Sequence, residues 1–177
     1  MYLRRLHVQR LKLLRDIELD FTDLDGESIR KWTVIIGKNG TGKTSLLQAV
    51  ALAAAGSLQV NTLAGRTVGH LRDRRSSEPL QVEASFEFPE AHLRAHLHPL
   101  APPPPVTPLT LRTTVALAEG ETTIRARSQY ASVQRGPMRD PLDEARSHNT
   151  PRWFVAGYGV ARFLPDVGRP PTLDRPS

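Results

Sequence analysis

The stretch Val34–Gly56, VIIGKNGTGKTSLLQAVALAAAG, constrains this chain more than any other. A β-branched run, Trp32 to Ile36, leads into a glycine-rich loop that opens directly into a Leu/Ala-rich, proline-free segment. That order predicts strand, loop and helix, with Ser45–Ala55 helical and Gly56 as its C-cap. The run Val34–Ile36 is apolar throughout, so it is expected at the centre of a sheet. Gly37, Gly42, Lys43 and Thr44 fall at the spacing G-x-x-x-x-G-K-[ST] of a phosphate loop. Glycines at 37, 40 and 42 permit backbone angles and close approaches that a Cβ forbids, so successive N–H groups can turn inward as an anion nest. The helix behind adds its positive end. Lys43 places a point charge at the β/γ-phosphates, and the Thr44 hydroxyl is a hard oxygen ligand suited to Mg²⁺. A nucleoside triphosphate is the ligand this chemistry implies.

Composition narrows the setting. The 177 residues suit one domain, and 39% hydrophobic residues can build a core. The absence of cysteine excludes disulfides and thiolate metal sites and makes an intracellular setting the expectation. The opening MYLRRLHVQRLKLLRD is too charged for a secretory signal. Ser45–Leu58 is too short and too alanine-rich for a membrane span, so a soluble, cytoplasmic chain without membrane contact is expected. Net charge is +6, with lysine confined to positions 12, 31, 38 and 43. That balance is compatible with nucleic-acid contact and equally with a compositional bias toward arginine.

Residues 3–21 alternate apolar and polar at both ends, predicting two strands joined by a bend at RLKLLRD. TDLDGES (22–28) is a turn, and 57–79 is polar, with RDRRSSEP reading as a flexible loop. LQVEASFEF (80–88) puts Leu80, Val82, Ala84, Phe86 and Phe88 on one face of a strand. Residues 109–130 read as a hairpin turning near Glu119-Gly120. Before it, His92, His96 and His98 read as surface histidines rather than a metal site, and Pro102–Pro105 as a rigid spacer. Residues 134–151, rich in proline and poor in apolar side chains, read as a mobile insertion. A strand is expected at Trp153–Ala156, and 167–177 reads as a disordered tail.

The strand pair LHVQRLKLLRDIELDF, the acidic turn and GKNGTGKTSLLQAVALA together resemble the N-terminal half of ABC-type ATPases of the SMC, RecF and OLD-nuclease branch, often labelled AAA-type ATPases. The resemblance covers 1–60 well and 80–130 loosely. It implies an α/β P-loop NTPase fold: a mixed sheet around the phosphate-loop helix, an antiparallel β-subdomain at about 80–130, and a C-terminal half not contained in this chain. It places 1–133 and 152–166 in one lobe, with 134–151 inserted between them. ATP and Mg²⁺ are the implied ligands. Gly37, Lys38, Asn39, Gly40, Thr41, Gly42, Lys43, Thr44 and Ser45 form the implied cradle, with Ser45 at the α-phosphate and Thr44 on the Mg²⁺. Lys12 falls where the family places a basic residue near the nucleotide, although a solvated loop lysine reads equally well. GYGVAR (157–162) is similar to a tyrosine-glycine-x-x-arginine stretch in defence-associated members. A head-to-head dimer of the full-length protein, and DNA or a nuclease effector as partner, are implied in the same way.

The hydrolytic parts of such a site are not legible. Phosphoryl transfer needs an acid at a strand end for the Mg²⁺ shell and a group that positions water. The nearest decoy, VALAEG (115–120), reads as a hairpin tip. No Ser-Gly-Gly-type signature loop is present, and Gln129 and Gln134 come too early for the glutamine the family places after the 153–156 strand. The expectation is an N-terminal segment that binds ATP without turning it over alone. Two other readings stay open: a stand-alone P-loop kinase or transferase with RDRR (72–75) as its lid, and a nucleotide-sensing binding module.

Overall fold

A computed structural model describes residues 1–26, 28–88, 109–131 and 140–143. The expected strand pair forms β1 (Tyr2–Leu11) and β2 (Leu14–Asp20), and Lys12 and Leu13 alone make the turn between them. The helix α1 (Lys43–Ala64) follows, then a 3-10 helix at Gly65–His70. β3 (Leu80–Phe88), β4 (Leu109–Leu117) and β5 (Arg125–Tyr130) complete the elements. The five strands form one sheet in the order β2-β1-β3-β4-β5, and every pairing is antiparallel.

Period-two patterning fixes which face is buried. Leu6 and Val8 of β1, Val82, Ala84 and Phe86 of β3, and Leu111 and Val115 of β4 point to one side and are buried. α1 lies across that side, contributing Leu46, Ala49, Leu52, Ala53 and Val60. Each such large apolar side chain contributes about 1.5–3 kcal/mol relative to exposure. The opposite face carries charge: Arg5 stands opposite Asp20, and His7 opposite Glu18. The anticipated face of β3 and the hairpin turning at Glu119-Gly120 both form, Gly120 with φ +75°.

The structure departs from the expectations at several points. The sheet among the described residues is antiparallel, not mixed, and Val34–Ile36 is not its centre. That run is assigned no strand, and Val34 and Ile36 are 80% and 89% exposed. An all-apolar run becomes a buried parallel strand only where neighbours flank it on both edges, and no ladder partner for it lies among the described residues.

The helix also does not end at Gly56. Gly56 leaves helical geometry (φ +75°, ψ 170°), but the chain re-enters a helix at Ser57 and continues to Ala64. The polar reading of 57–79 therefore missed packed structure, in which Val60, Ala64, Val68 and Leu71 are buried. Taken with the 3-10 helix, Lys43–His70 is long and apolar enough by composition to span a membrane; Leu46, Ala49, Leu52, Ala53 and Val60 line the core against the sheet, whereas Leu47, Leu58 and Leu63 are exposed.

Finally, four residues of the stretch read as a mobile insertion, 140–143, are docked on the domain, with Leu142 1% exposed. The histidines at 92, 96 and 98, the prolines at 102–105, the strand at 153–156, GYGVAR and the tail lie outside the described residues.

Candidate functional site

The phosphate loop is set by three glycine-dependent features. Gly40 and Gly42 have φ of +80° and +90°, in the region that side-chain-bearing residues rarely adopt. A Cβ on Gly42 would stand 2.6 Å from Leu14 Cδ2, so the start of β2 braces the point where α1 begins. A Cβ on Gly37 would stand 2.9 Å from Thr41 Oγ1, whose hydroxyl donates to the Lys38 carbonyl at 2.8 Å.

Lys43 curls back over this loop. Its Nζ donates to the carbonyl oxygens of Gly37 and Lys38 at 2.7 and 2.6 Å. The N-terminus of α1 has no side-chain cap and no acid in its first turn. Its first N–H groups have no acceptor within the helix, and the macrodipole leaves that end positive. A half-buried ammonium, an uncapped helix start and an open loop of left-handed glycines fit a polyphosphate, and nothing acidic at the helix start opposes one. Thr44 is exposed there, as an Mg²⁺ ligand must be, whereas Ser45 is buried one position deeper.

Lys12 is brought to the same neighbourhood. Arg10 and Lys12 both take left-handed backbone angles, φ 57° and 53°, on either side of the fully buried Leu11. Backbone bonds hold this tight turn: the Lys12 N–H donates to the Leu71 carbonyl at 2.7 Å, and the Asp73 N–H to that of Arg10 at 2.9 Å. The Lys12 ammonium donates to Gln48 Oε1 on α1 at 2.7 Å, so the cation is tied to the helix that carries the loop. Asp73 in turn accepts from the side chain and the backbone N–H of Arg75. Those bonds, the side-chain one first, hold its carboxyl below the usual range.

Sequence reasoning missed the strap formed by 140–143. Asp143 accepts from Ser57 Oγ and, at 3.1 Å, from the Leu58 N–H, so it caps the second segment of α1. Asp140 accepts from the Ser128 N–H at 2.8 Å and from the Ser128 hydroxyl, tying the same strap to β5. A Cβ on Gly56 would meet Asp143 Oδ1 at 2.5 Å, which explains why glycine stands at the kink. A capping partner 86 positions away leaves no local trace in the sequence.

Glu119, the nearest acid to a hydrolytic pattern, sits at the β4–β5 tip and pairs with Arg72 at 2.9 Å. Among the described residues no cluster of three or more acidic or histidine side chains could hold a metal ion.

A family model described as an AAA ATPase domain matches residues 1–146. The chain is also similar to the Septu protein PtuA of Bacillus mycoides (strain KBAB4), with 36% identity over 58 residues. Those residues are 33% of this chain and 8% of that protein, so the match spans a small fraction of the relative's length.

Proposed function

The chain belongs to the AAA ATPase domain family, and from that premise we propose that residues Gly37–Ser45 bind ATP as its Mg²⁺ complex. The observation that carries this reading is the Lys43 ammonium held at the mouth of the loop by two of the loop's own carbonyl oxygens. Those carbonyls hold the charge in place, and phosphate oxygens, being anionic, are stronger acceptors for it. The N–H groups of the loop and of the uncapped α1 start orient the phosphates, Thr44 supplies a Mg²⁺ ligand, and Ser45 serves the α-phosphate. Lys12, tied to Gln48, holds a second positive charge beside the helix. The bound nucleotide supplies a transferable γ-phosphoryl group.

The same proposal extends to the whole protein. Residues 1–133 and 152–166 form one lobe of an SMC/RecF/OLD-like ATPase, with 134–151 inserted and 167–177 as a tail. The complete protein is cytoplasmic, hydrolyses ATP as a head-to-head dimer, and acts with DNA or a nuclease effector in DNA processing or anti-phage defence. Support for the branch is the β1–β2 hairpin braced on the phosphate loop through Leu14 and Gly42, together with the similarity to Septu protein PtuA.

The test is a calorimetric titration of the purified chain with ATP, ADP and AMP, with and without Mg²⁺. Affinity should rise with phosphate number and with Mg²⁺. Equal affinity for AMP and ATP would refute a phosphate-centred site.

A further inference from the structure

Lys12 occupies a backbone position that favours glycine. It is the first residue of the two-residue turn between β1 and β2, with φ 53°, and Leu13 after it is not left-handed. Glycine is preferred at such a place because it takes the left-handed region without strain. A lysine there points to work for its side chain that the turn itself does not require.

The turn is braced on both sides of the buried Leu11. The Lys12 N–H donates to the Leu71 carbonyl, and the Arg10 carbonyl accepts from the Asp73 N–H. The Arg10 guanidinium is in turn fixed by the Pro79 carbonyl and by Glu78. From that frame the Lys12 ammonium reaches α1 and donates to Gln48 Oε1 at 2.7 Å. Gln48 lies one turn after Thr44 on the same face of the helix, and helical side chains lean back toward the N-terminus. The charge is therefore held on the face of α1 that carries Thr44.

What holds the charge matters as much as where it is held. Around the same turn Arg10 pairs with Glu78, Arg72 with Glu119 and Arg75 with Asp73. Each of those cations faces a carboxylate. Among the described residues no carboxylate pairs with Lys12, whose acceptor is an amide. An amide oxygen orients an ammonium without cancelling its charge, and an anionic phosphate oxygen is a stronger acceptor for it.

We propose that Gln48 is a positioning residue: a neutral holder that keeps the Lys12 charge on the Thr44 face of α1 and yields it to the terminal phosphates when a nucleotide binds. This role rests on the reading of Gly37–Ser45 as a triphosphate site.

The test titrates ATP and AMP, each with Mg²⁺, into the full chain and its variants by calorimetry, with thermal melts alongside. Lys12→Met should weaken ATP by about tenfold, the loss expected of one charge-assisted bond, and AMP far less. Lys12→Arg should retain most of the parental affinity. Gln48→Ala places a good helix former at a half-buried position, so it should fold, and it should weaken ATP severalfold. In a Lys12→Met background the same change should add nothing, because Gln48 acts through the lysine. Gln48→Glu separates positioning from packing. A carboxylate ties the lysine more firmly, so a merely structural role predicts intact binding. Under the proposal the thermal midpoint holds while ATP affinity falls, because the charge is now cancelled.

Unchanged ATP affinity in Gln48→Ala, an equal loss from it in the Lys12→Met background, or parental affinity in Gln48→Glu would each overturn the proposal and leave the phosphate site standing. A parent chain that binds AMP as tightly as ATP would instead refute the phosphate site, and this role for Gln48 with it.

Discussion

The Nζ of Lys43 lies 2.7 Å from the carbonyl oxygen of Gly37, so the charge that would meet phosphate closes a ring with the residue that opens its own loop. Both contacts are to exposed backbone, and the Lys43 side chain takes no part in the buried core. Lys43→Ala should therefore leave the thermal midpoint essentially unchanged while weakening ATP binding. A hydrogen bond to a charged group is worth about 1.5–3 kcal/mol, roughly a tenfold to hundredfold loss in affinity. A fluorescence titration with an ATP analogue checks this, and unchanged affinity in a folded variant would remove Lys43 from the site.

Gly42 should be intolerant for two separable reasons. Its φ of +90° disfavours any side chain, at about 1–2 kcal/mol, and a Cβ would enter the space of Leu14 at 2.6 Å. Gly42→Ala should lower stability by more than the backbone cost alone. In a Leu14→Ala background the second cause disappears, so the two changes should combine less than additively in chemical denaturation. Strict additivity would show that Leu14 does not brace the loop.

How far the sequence was legible follows from the range of the interactions involved. β1, β2, β3 and the β4–β5 hairpin were readable because a half-buried antiparallel strand alternates residue by residue, as at Leu80, Val82, Ala84, Phe86 and Phe88. The phosphate loop was readable because its chemistry is compressed into eight positions. Val34–Ile36 misled because apolar composition states what a strand would need and not whether its neighbours are there. Gly56 misled in another way. A glycine that breaks helical geometry looks like an ending, and the resumption at Ser57 depends on Asp143, which no window around residue 56 contains. Lys12 lay between these cases: its position was flagged by resemblance, but its tie to Gln48 needed the fold.

The Asp143 cap predicts a local effect. Asp143→Ala removes the acceptor for Ser57 and for the Leu58 N–H and should cost about 0.5–2 kcal/mol, as lost N-caps do. Amide exchange should speed up in 57–64 more than in the first turns of α1. Leu142→Ala, which empties a fully buried site, should cost more, about 2–5 kcal/mol. Exchange accelerated equally throughout α1 would contradict a cap acting at the kink.

Asp73 gives a pH dependence with a defined sign. Its carboxyl is held below the usual range by the Arg75 side chain and backbone N–H. A carboxylate depressed in the folded state contributes stability that is fully present above its unfolded pKa, about 3.9, and is lost as pH falls through the folded value. Asp73→Asn should thus be less stable than the parent at pH 7, with the gap narrowing only below about pH 4. Thermal melts from pH 3 to 7 test this, and a gap that widens on acidification would reverse the sign.

The last prediction concerns turnover. The proposed site would offer a cradle, a cation and a Mg²⁺ ligand, but phosphoryl transfer also needs an acid in the Mg²⁺ shell and a group that orients water. Glu119, the nearest acid by sequence pattern, is committed to Arg72 at 2.9 Å on the tip of the β4–β5 hairpin. Among the described residues no group of three or more acidic or histidine side chains could hold a metal ion. Since this chemistry is almost wholly positioning and electrostatics, the purified 177-residue chain should bind ATP–Mg²⁺ and release phosphate no faster than its Lys43→Ala variant. A steady-state phosphate-release assay comparing the two is decisive. Turnover clearly above the variant would mean that the chain holds a complete catalytic set, and Glu119→Gln would then show whether that hairpin acid belongs to it.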